Sequence, residues 1–265
     1  MLKFLCSAFS LFSVYVCGVI PEKVLICGVC RDIARDGLPT SIEIVEQIGA
    51  LFDDYRVIIY ENNSSDNTPN ILKQWTQCNP KVFVKSESLS DADLAQAIIN
   101  RNPDGQFFRP EAIARARNIV LDIALSNQYE EFPYIIWMDM DFKIFPRFEG
   151  IVEVFESNRE WDAVFAYGIA APTSAYWDWY AFRDAESPLG PELLGMRWYR
   201  LPKEFALEQN SDWYPVYSAF GGYGIYKKSS IIGCRYSALV TEDLEKVARV
   251  IIDQGTSSSH PHILH

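Results

Sequence analysis

Three short apolar runs, at residues 24–29, 56–60 and 134–138, each stop abruptly at a polar cluster: 31–37, 61–67 and 139–141. Strands that are apolar throughout are those covered on both faces. The stretches between the runs carry apolar residues at helical spacing, so strand and helix alternate along the first half of the chain. That alternation predicts an α/β domain built on a mainly parallel sheet flanked by helices. In a parallel sheet all strands leave at one edge, and ligands bind outside those carboxyl ends. The three polar clusters are therefore expected to gather there as one site.

Thr40 and Glu43 form a capping-box pattern ahead of Ile42, Val45, Ile48 and Leu51, which predicts the first helix. Thr68 is expected to cap a second, with Pro69 at its first position and Ile71, Leu72 and Trp75 facing the core. A short strand at 82–84, a helix over 111–127, a helix near 151–156 and a strand at 163–167 complete the pattern. Residues 172–215 break it with Pro172, Pro188, Pro191, Pro202 and Pro215 and no clear period. A long irregular stretch inside a compact domain is more often functional than neutral. Ten of the 37 aromatic residues, and four of the seven Trp, fall within it, and Tyr217 just beyond makes eleven between Tyr176 and Tyr217.

Lys3 followed by a nearly unbroken apolar run to Ile20 reads as a signal peptide or a short membrane anchor. That places the protein on the secretory route or at a membrane, with residues 21–255 as a single domain and 256–265 as a tail. Cys27 and Cys30 form a CxxC that continues the first strand, where residues three apart lie roughly 10 Å from each other, too far for a disulfide. With no second CxxC or His pair at zinc spacing, both read as packed structural thiols. The net charge of −11 argues against nucleic acid as a partner, because an acidic surface repels a phosphate backbone.

The sharpest chemical motif is Asp139-Met140-Asp141 at the exit of the third apolar run. Hard divalent cations such as Mn²⁺ or Mg²⁺ bind through one or two carboxylates together with substrate phosphates. Two acids with few other ligands nearby expect the substrate to complete the site, most naturally as a diphosphate. In the second cluster, Glu61, Asn63 and Asp66 are either turn formers bonded to local backbone or acceptors for a base or ribose. On the 111–127 helix, Arg115, Asn118 and Asp122 share one face, and Arg117 next to Asn118 offers a charge for phosphate. Gly221 and Gly222, in Phe220-Gly221-Gly222-Tyr223-Gly224, permit close backbone approach to a ligand or form a tight turn before a strand. Glu242 and Asp243 open a helix, where acids suit the dipole or serve as a general base. The three His residues, 260, 262 and 265, form a frayed tail or supply a metal ligand through His260.

In this order the motifs resemble the GT-A fold of nucleotide-sugar-dependent glycosyltransferases over roughly residues 23–253. The run Tyr60-Glu61-Asn62-Asn63-Ser64-Ser65-Asp66-Asn67-Thr68 and the later Arg117-Asn118 are most similar to the capsule-associated mannosyltransferase-like family. The resemblance implies a Rossmann-related sheet and transfer of a sugar from a nucleotide-diphosphate donor to a glycan or glycoconjugate hydroxyl, with Mn²⁺ or Mg²⁺. It implies that Asp141 ligates the metal and that Asp139 contacts metal or ribose. Arg31, Glu61, Asn63 and Asp66 would border the nucleoside, and Arg117 and Asn118 the diphosphate. Glu242 or Asp243 would meet the acceptor hydroxyl, and Trp177, Trp179 and Trp213 would wall the acceptor with Gly221 and Gly222.

Two other readings compete. A haloacid-dehalogenase-like phosphatase also places Asp-x-Asp after an apolar strand, but expects Thr or Val where this chain has Lys143. A non-catalytic carbohydrate-binding protein would suit the aromatic content alone.

Overall fold

A computed structural model of the chain describes residues 20–100, 108–169, 176–190 and 212–253. Its centre is a six-stranded sheet. Five strands come from the alternating half: β1 (Ile20–Cys30), β2 (Phe52–Asn62), β3 (Val82–Glu87), β4 (Tyr134–Met138) and β5 (Ala163–Phe165). The sixth, β6 (Tyr223–Lys227), follows the aromatic stretch. The strand order is β3-β2-β1-β4-β6-β5. β1 pairs in parallel with both β2 and β4, and β2 with β3, while β6 runs antiparallel between β4 and β5. The mainly parallel sheet expected from the alternation is what forms.

Period-two alternation sends successive side chains to opposite faces. Val24 and Ile26 of β1 join one core cluster, Leu25 and Cys27 the other. The first cluster is closed by α1 (Leu38–Gly49), α2 (Thr68–Cys78) and α5 (Glu149–Glu156). The second is closed by α4 (Arg109–Ala124), through Ala116, Val120, Leu121 and Ala124. A short α3 (Asp91–Ala97) and a final α6 (Glu242–Asp253) complete the helices described. α3 lacks the length for a periodic signal, but its sequence carries a capping box at Ser90 and Asp93.

Cys27 lies in the second cluster and Cys30 packs against the first, so the two thiols face opposite sides of the sheet and remain free. Burial pushes both thiols well above their ordinary range, which makes them poor nucleophiles.

Two helix starts differ from expectation. α1 begins before Thr40, at a left-handed Gly37 with no side-chain cap, because Pro39 suits the first turn. Thr68 does not cap α2; its buried hydroxyl accepts a hydrogen bond from the Ile33 N–H at 3.0 Å. Both departures lie at the strand-exit edge. Among the described residues no helix is long and apolar enough to cross a membrane, and the 1–20 segment, apart from Ile20, and the 256–265 tail lie outside them.

Candidate active site

The chain lays β2 and β3 on one side of β1 and then places β4 on the other. The crevice between the exits of β1 and β4 is where the topology reverses, the usual place for a ligand in such sheets. Asp139-Met140-Asp141 leaves β4 there. Met140 is 2% exposed and turns into the core, and Gly28 of β1 leaves room for it. A Cβ on Gly28 would stand 2.7 Å from Met140 Cγ. On either side of buried Met140, just past the end of β4, Asp139 is half-buried and Asp141 exposed, within electrostatic reach of each other.

Each acid is also held by its backbone. The Asp139 N–H donates to the Gly222 carbonyl at 2.9 Å. The Asp141 main chain rests on Gly37, where a Cβ would come within 2.5 Å of the Asp141 carbonyl, and the Phe142 N–H donates to Ser41 Oγ at 3.0 Å. The Asp139 side chain stays 48% exposed, although protein walls surround it at longer range. That surrounding burial, with Asp141 and Asp178 adding and Arg117 and Arg109 opposing, pushes its carboxyl up to about 6.

The exits of β1 and β2 lock onto each other. Asp32 and Asn63, both non-glycine, adopt positive φ of 54° and 55°, conformations that persist only where the surroundings enforce them. The Asp32 carboxylate accepts from the Ser65 N–H and hydroxyl, and the Asp32 N–H donates to Ser64 Oγ. The Ser65 N–H chiefly holds that carboxyl below its ordinary value. Asp66 accepts from the Ala34 and Thr68 N–H groups at 2.8 and 2.9 Å. Glu61 is 1% exposed, and its oxygens accept from the Ser64 N–H and the Ser86 hydroxyl. Asn63 bridges to Leu89 in both directions. Of the two readings open for this run, the structure displays the turn-forming one, with Glu61, Asn63 and Asp66 shaping the rim from within. Arg31 sits above it, exposed, and pairs with Asp32 at 3.3 Å.

α4 contributes a guanidinium from the other face. Arg117 lies over the rings of Phe220 (5.1 Å) and Tyr236 (5.4 Å), and its head is 3.9 Å from Asp139. Asn118 places one of those rings: its amide exchanges two hydrogen bonds, each 2.9 Å, with the Tyr236 backbone. Asn118 thus acts through Tyr236. Arg115 turns away, donating to the Tyr60 hydroxyl at 2.8 Å and pairing with Glu87. Arg109, at the start of α4, is exposed and within electrostatic reach of Asp139.

The aromatic segment 176–184 is pinned at the same cleft. Tyr176 bridges to Ile169 and its hydroxyl accepts from the Phe220 N–H at 2.9 Å. The Trp177 N–H donates to Gly168, and Arg183 and Ser218 pair as an isolated bridge. Trp177 and Trp179 are 66% and 39% exposed. Between them lies half-buried Asp178, which touches the electrostatics of both Asp139 and Arg117. Burial raises its carboxyl, with the Ala181 N–H, Arg117 and Arg183 opposing.

Trp213 is elsewhere. It packs on the α1–α2–α5 face beneath Arg159, whose guanidinium sits 5.1 Å above the ring, and beside Glu153, Glu156 and Ser157 at the far end of α5. Of the three Trp residues expected to wall an acceptor, Trp177 and Trp179 are exposed on the 176–184 segment and Trp213 is not with them. The glycines serve the protein rather than an open face. A Cβ on Gly221 would collide with the Ala166 carbonyl, and one on Gly222, at φ 98°, would stand 2.8 Å from Phe142 Cζ. Their close approach places the backbone that holds Asp139.

Glu242 is exposed at the start of α6, where the Thr241 hydroxyl caps the Leu244 N–H. Asp243 begins the same helix, and His260 lies outside the described residues. Sequence reasoning missed Asp178, Arg109 and Tyr236. Asp178 had one signal, an acid set between two Trp residues in the irregular stretch.

Among the described residues no group of three His, Cys, Asp or Glu gathers to hold a metal by protein alone. The donor set at Asp139 and Asp141 is two adjacent carboxylates, one of them with a raised carboxyl that a cation would relieve. That set fits a hard divalent ion whose remaining ligands come from phosphate and water.

No curated protein sequence matches the chain. Among solved structures, it is similar to a mannosyltransferase from Pyrobaculum calidifontis in complex with GDP-Man and Mn²⁺, at 11% identity and a TM-score of 0.46, covering 89% of this chain and 53% of that one. It is also similar to 4-diphosphocytidyl-2C-methyl-D-erythritol synthase from Anaerococcus prevotii (11%, TM-score 0.45, 90% and 85%) and to S. aureus TarS 1-349 (12%, TM-score 0.43, 84% and 53%). The chain thus spans about half the length of the first of these. The family model described as Cryptococcal mannosyltransferase 1 matches residues 25–248, a span that holds both strand-exit loops, α4, the Asp139 turn and β6. The chain belongs to the Cryptococcal mannosyltransferase 1 family of glycosyltransferases.

Proposed function

We propose that the protein transfers a sugar from a nucleotide-diphosphate donor to a hydroxyl of a glycan or glycoconjugate, using Mn²⁺ or Mg²⁺. The observation that carries this reading is the pair Asp139 and Asp141 at the β1–β4 crevice, with Arg117 3.9 Å from Asp139. The family description names mannose as the first sugar to test.

Asp139 and Asp141 would hold the cation, which as a Lewis acid would neutralise charge on the departing diphosphate. Arg117 is fixed between two rings, so its charge faces the phosphates without reorganising. Arg31 and Arg109 border the same mouth and add positive charge to an otherwise acidic protein. The interlocked loops around Asp32 and Asp66 form a rigid floor for the nucleoside. Trp177 and Trp179 offer flat apolar faces to the C–H side of an acceptor sugar. An N-terminal signal or anchor at residues 1–20 would place this chemistry on the secretory route or at a membrane surface.

The test is thermal stabilisation by GDP and by UDP, each with and without Mn²⁺. Stabilisation that needs the metal, and that Asp141→Asn removes from a folded protein, is the expected result. A shift unchanged in Asp141→Asn refutes the assignment of the metal, and no metal-dependent shift with any nucleoside diphosphate refutes the donor reading.

A further inference from the structure

The loop that leads into β6 serves two of the groups assigned to the donor in the reading above, on which this inference rests. The Phe220 ring lies 5.1 Å from the Arg117 guanidinium, and the Gly222 carbonyl accepts from the Asp139 N–H at 2.9 Å. The two points are tied together, because the Gly222 N–H donates to the Phe220 carbonyl at 3.1 Å. The far side of the loop has little freedom. A Cβ on Gly221 would collide with the Ala166 carbonyl, and one on Gly168 would stand 2.7 Å from the Gly221 oxygen. Whatever fixes Phe220 therefore bears on both members of the Arg117–Asp139 pair, 3.9 Å apart.

Phe220 lies outside the β6 ladder, which begins at Tyr223. Its N–H donates instead to the Tyr176 hydroxyl at 2.9 Å. The bond is buried, with Tyr176 7% exposed and Phe220 9%. A buried N–H left without an acceptor costs more than a hydrogen bond ordinarily gains, so this hydroxyl restricts where the loop can rest. The Tyr176 ring is held by other means. It packs with Phe182 and Ala219, and its centroid is 5.5 Å from those of Tyr167 and Phe182. The 176–184 segment is also fastened to the same loop a second time, where the Arg183 N–H donates to the Ser218 carbonyl at 2.8 Å. Ring and bridge attach the segment, and the hydroxyl adds the direction that packing alone does not supply.

We propose that Tyr176 is a positioning residue for donor binding. Its hydroxyl, through the Phe220 N–H, sets the ring that lies against Arg117 and the carbonyl that holds Asp139. Its effect is on affinity for the nucleoside diphosphate with Mn²⁺, and it acts through the loop rather than by touching phosphate or metal.

The full chain, the single variants Tyr176→Phe, Tyr214→Phe and Arg117→Lys, and the double variant Tyr176→Phe with Arg117→Lys test this. Titration calorimetry with GDP and with UDP in Mn²⁺ gives affinity, and melting curves give stability. Tyr176→Phe keeps the ring and the Arg183–Ser218 bridge and loses the acceptor. Its affinity should fall about tenfold, equivalent to about 1.4 kcal/mol. Tyr214→Phe removes a different hydroxyl packed near the same segment, the one that donates to Asp184 at 2.8 Å. It should lower Tm and leave affinity within about twofold, as an independent site would. An equal loss of affinity in both variants would show a merely structural role and overturn the proposal. In the double variant, Arg117→Lys should cost less than about threefold beyond Tyr176→Phe, because the ring against position 117 has already shifted. Effects that multiply in full overturn the proposal, as does unchanged affinity in Tyr176→Phe. If Tyr176→Phe does not fold, an ester in place of the peptide bond between Ala219 and Phe220 removes the donor with every side chain intact, and unchanged affinity there overturns the proposal equally. No Mn²⁺-dependent binding of either nucleotide by the unaltered protein overturns the donor reading and this inference with it.

Discussion

Replacing Gly37 by alanine asks whether Asp141 is held in place from across the sheet edge. Gly37 has φ 116°, and a Cβ there would lie 2.5 Å from the Asp141 carbonyl carbon and oxygen. Positive-φ conformations of this kind cost a residue with a side chain about 1–3 kcal/mol. Ordinary contact begins near 3.4 Å, so the Asp141 main chain must also retreat by about 0.9 Å. For a domain of this size each kcal/mol moves Tm by roughly 2–4 °C, which gives a fall of about 2–12 °C without ligand. The displacement should show separately in ligand binding, because ligand distances at a metal tolerate only about 0.2 Å. At a ligand concentration 100 times Kd, the unaltered protein gains about 2.7 kcal/mol, and a tenfold weaker Kd cuts that to about 1.4 kcal/mol. Thermal melts with and without GDP and Mn²⁺ measure both effects. Gly150 is the control: it has open space around it, sits in the first turn of α5, and should accept alanine with a change no worse than neutral. A Gly37→Ala protein that loses stability but keeps the full ligand shift would refute the claim that this contact positions Asp141.

Three further outcomes follow from the same geometry. Asp66→Ala leaves the Ala34 and Thr68 N–H groups without their acceptor and should cost about 1–3 kcal/mol in chemical denaturation, whereas a cost below about 0.5 kcal/mol would show that the two loops do not depend on this clasp. The Asp139 carboxyl is raised to about 6 from 3.8 by burial, with Asp141 and Asp178 adding and Arg117 and Arg109 opposing, so its contribution to metal-free stability is present below about pH 4 and lost as pH rises through about 6. Asp139→Asn should flatten that decline, and parallel pH profiles of the two proteins would contradict the assignment. Arg117→Lys keeps the charge but loses the flat group that lies over Phe220 and Tyr236, so nucleoside diphosphate affinity should fall about tenfold with little change in Tm; equal affinity would mean that charge alone suffices.

The sheet was legible because its strands are short apolar runs with fixed period, and residues 134–138 form β4 without adjustment. The gathering of strand exits followed from parallel topology alone. Helix starts were less legible: Thr40 and Thr68 look like caps in one dimension, but one lies inside α1 and the other meets a loop from β1. The site divided the same way. Asp139 and Asp141 stand out in the sequence because two acids directly follow an apolar run, and β4 does end at Met138 just before them. Glu61, Asn63 and Asp66 were equally visible as polar residues, but sequence does not say whether a carboxylate faces a ligand or a neighbouring N–H. Trp213 joined the aromatic wall by composition and left it by topology, since 213 lies against α5. Arg109 and Asp178 depend on contacts between distant segments, which no local pattern encodes.

The hydrogen bond from the Asp139 N–H to the Gly222 carbonyl also orders events in time. During synthesis β1 to β4 emerge first and can pair among themselves, because each parallel contact in that half needs only chain already made. The turn that bears Asp139 must wait for Gly222, and so for everything between β4 and β6. A nascent chain can therefore acquire most of its sheet while the turn bearing Asp139 is still unformed. Closing that late contact over a long loop is slow relative to local pairing. A slow phase in refolding, seen by nucleotide binding after the sheet has formed, would be its signature.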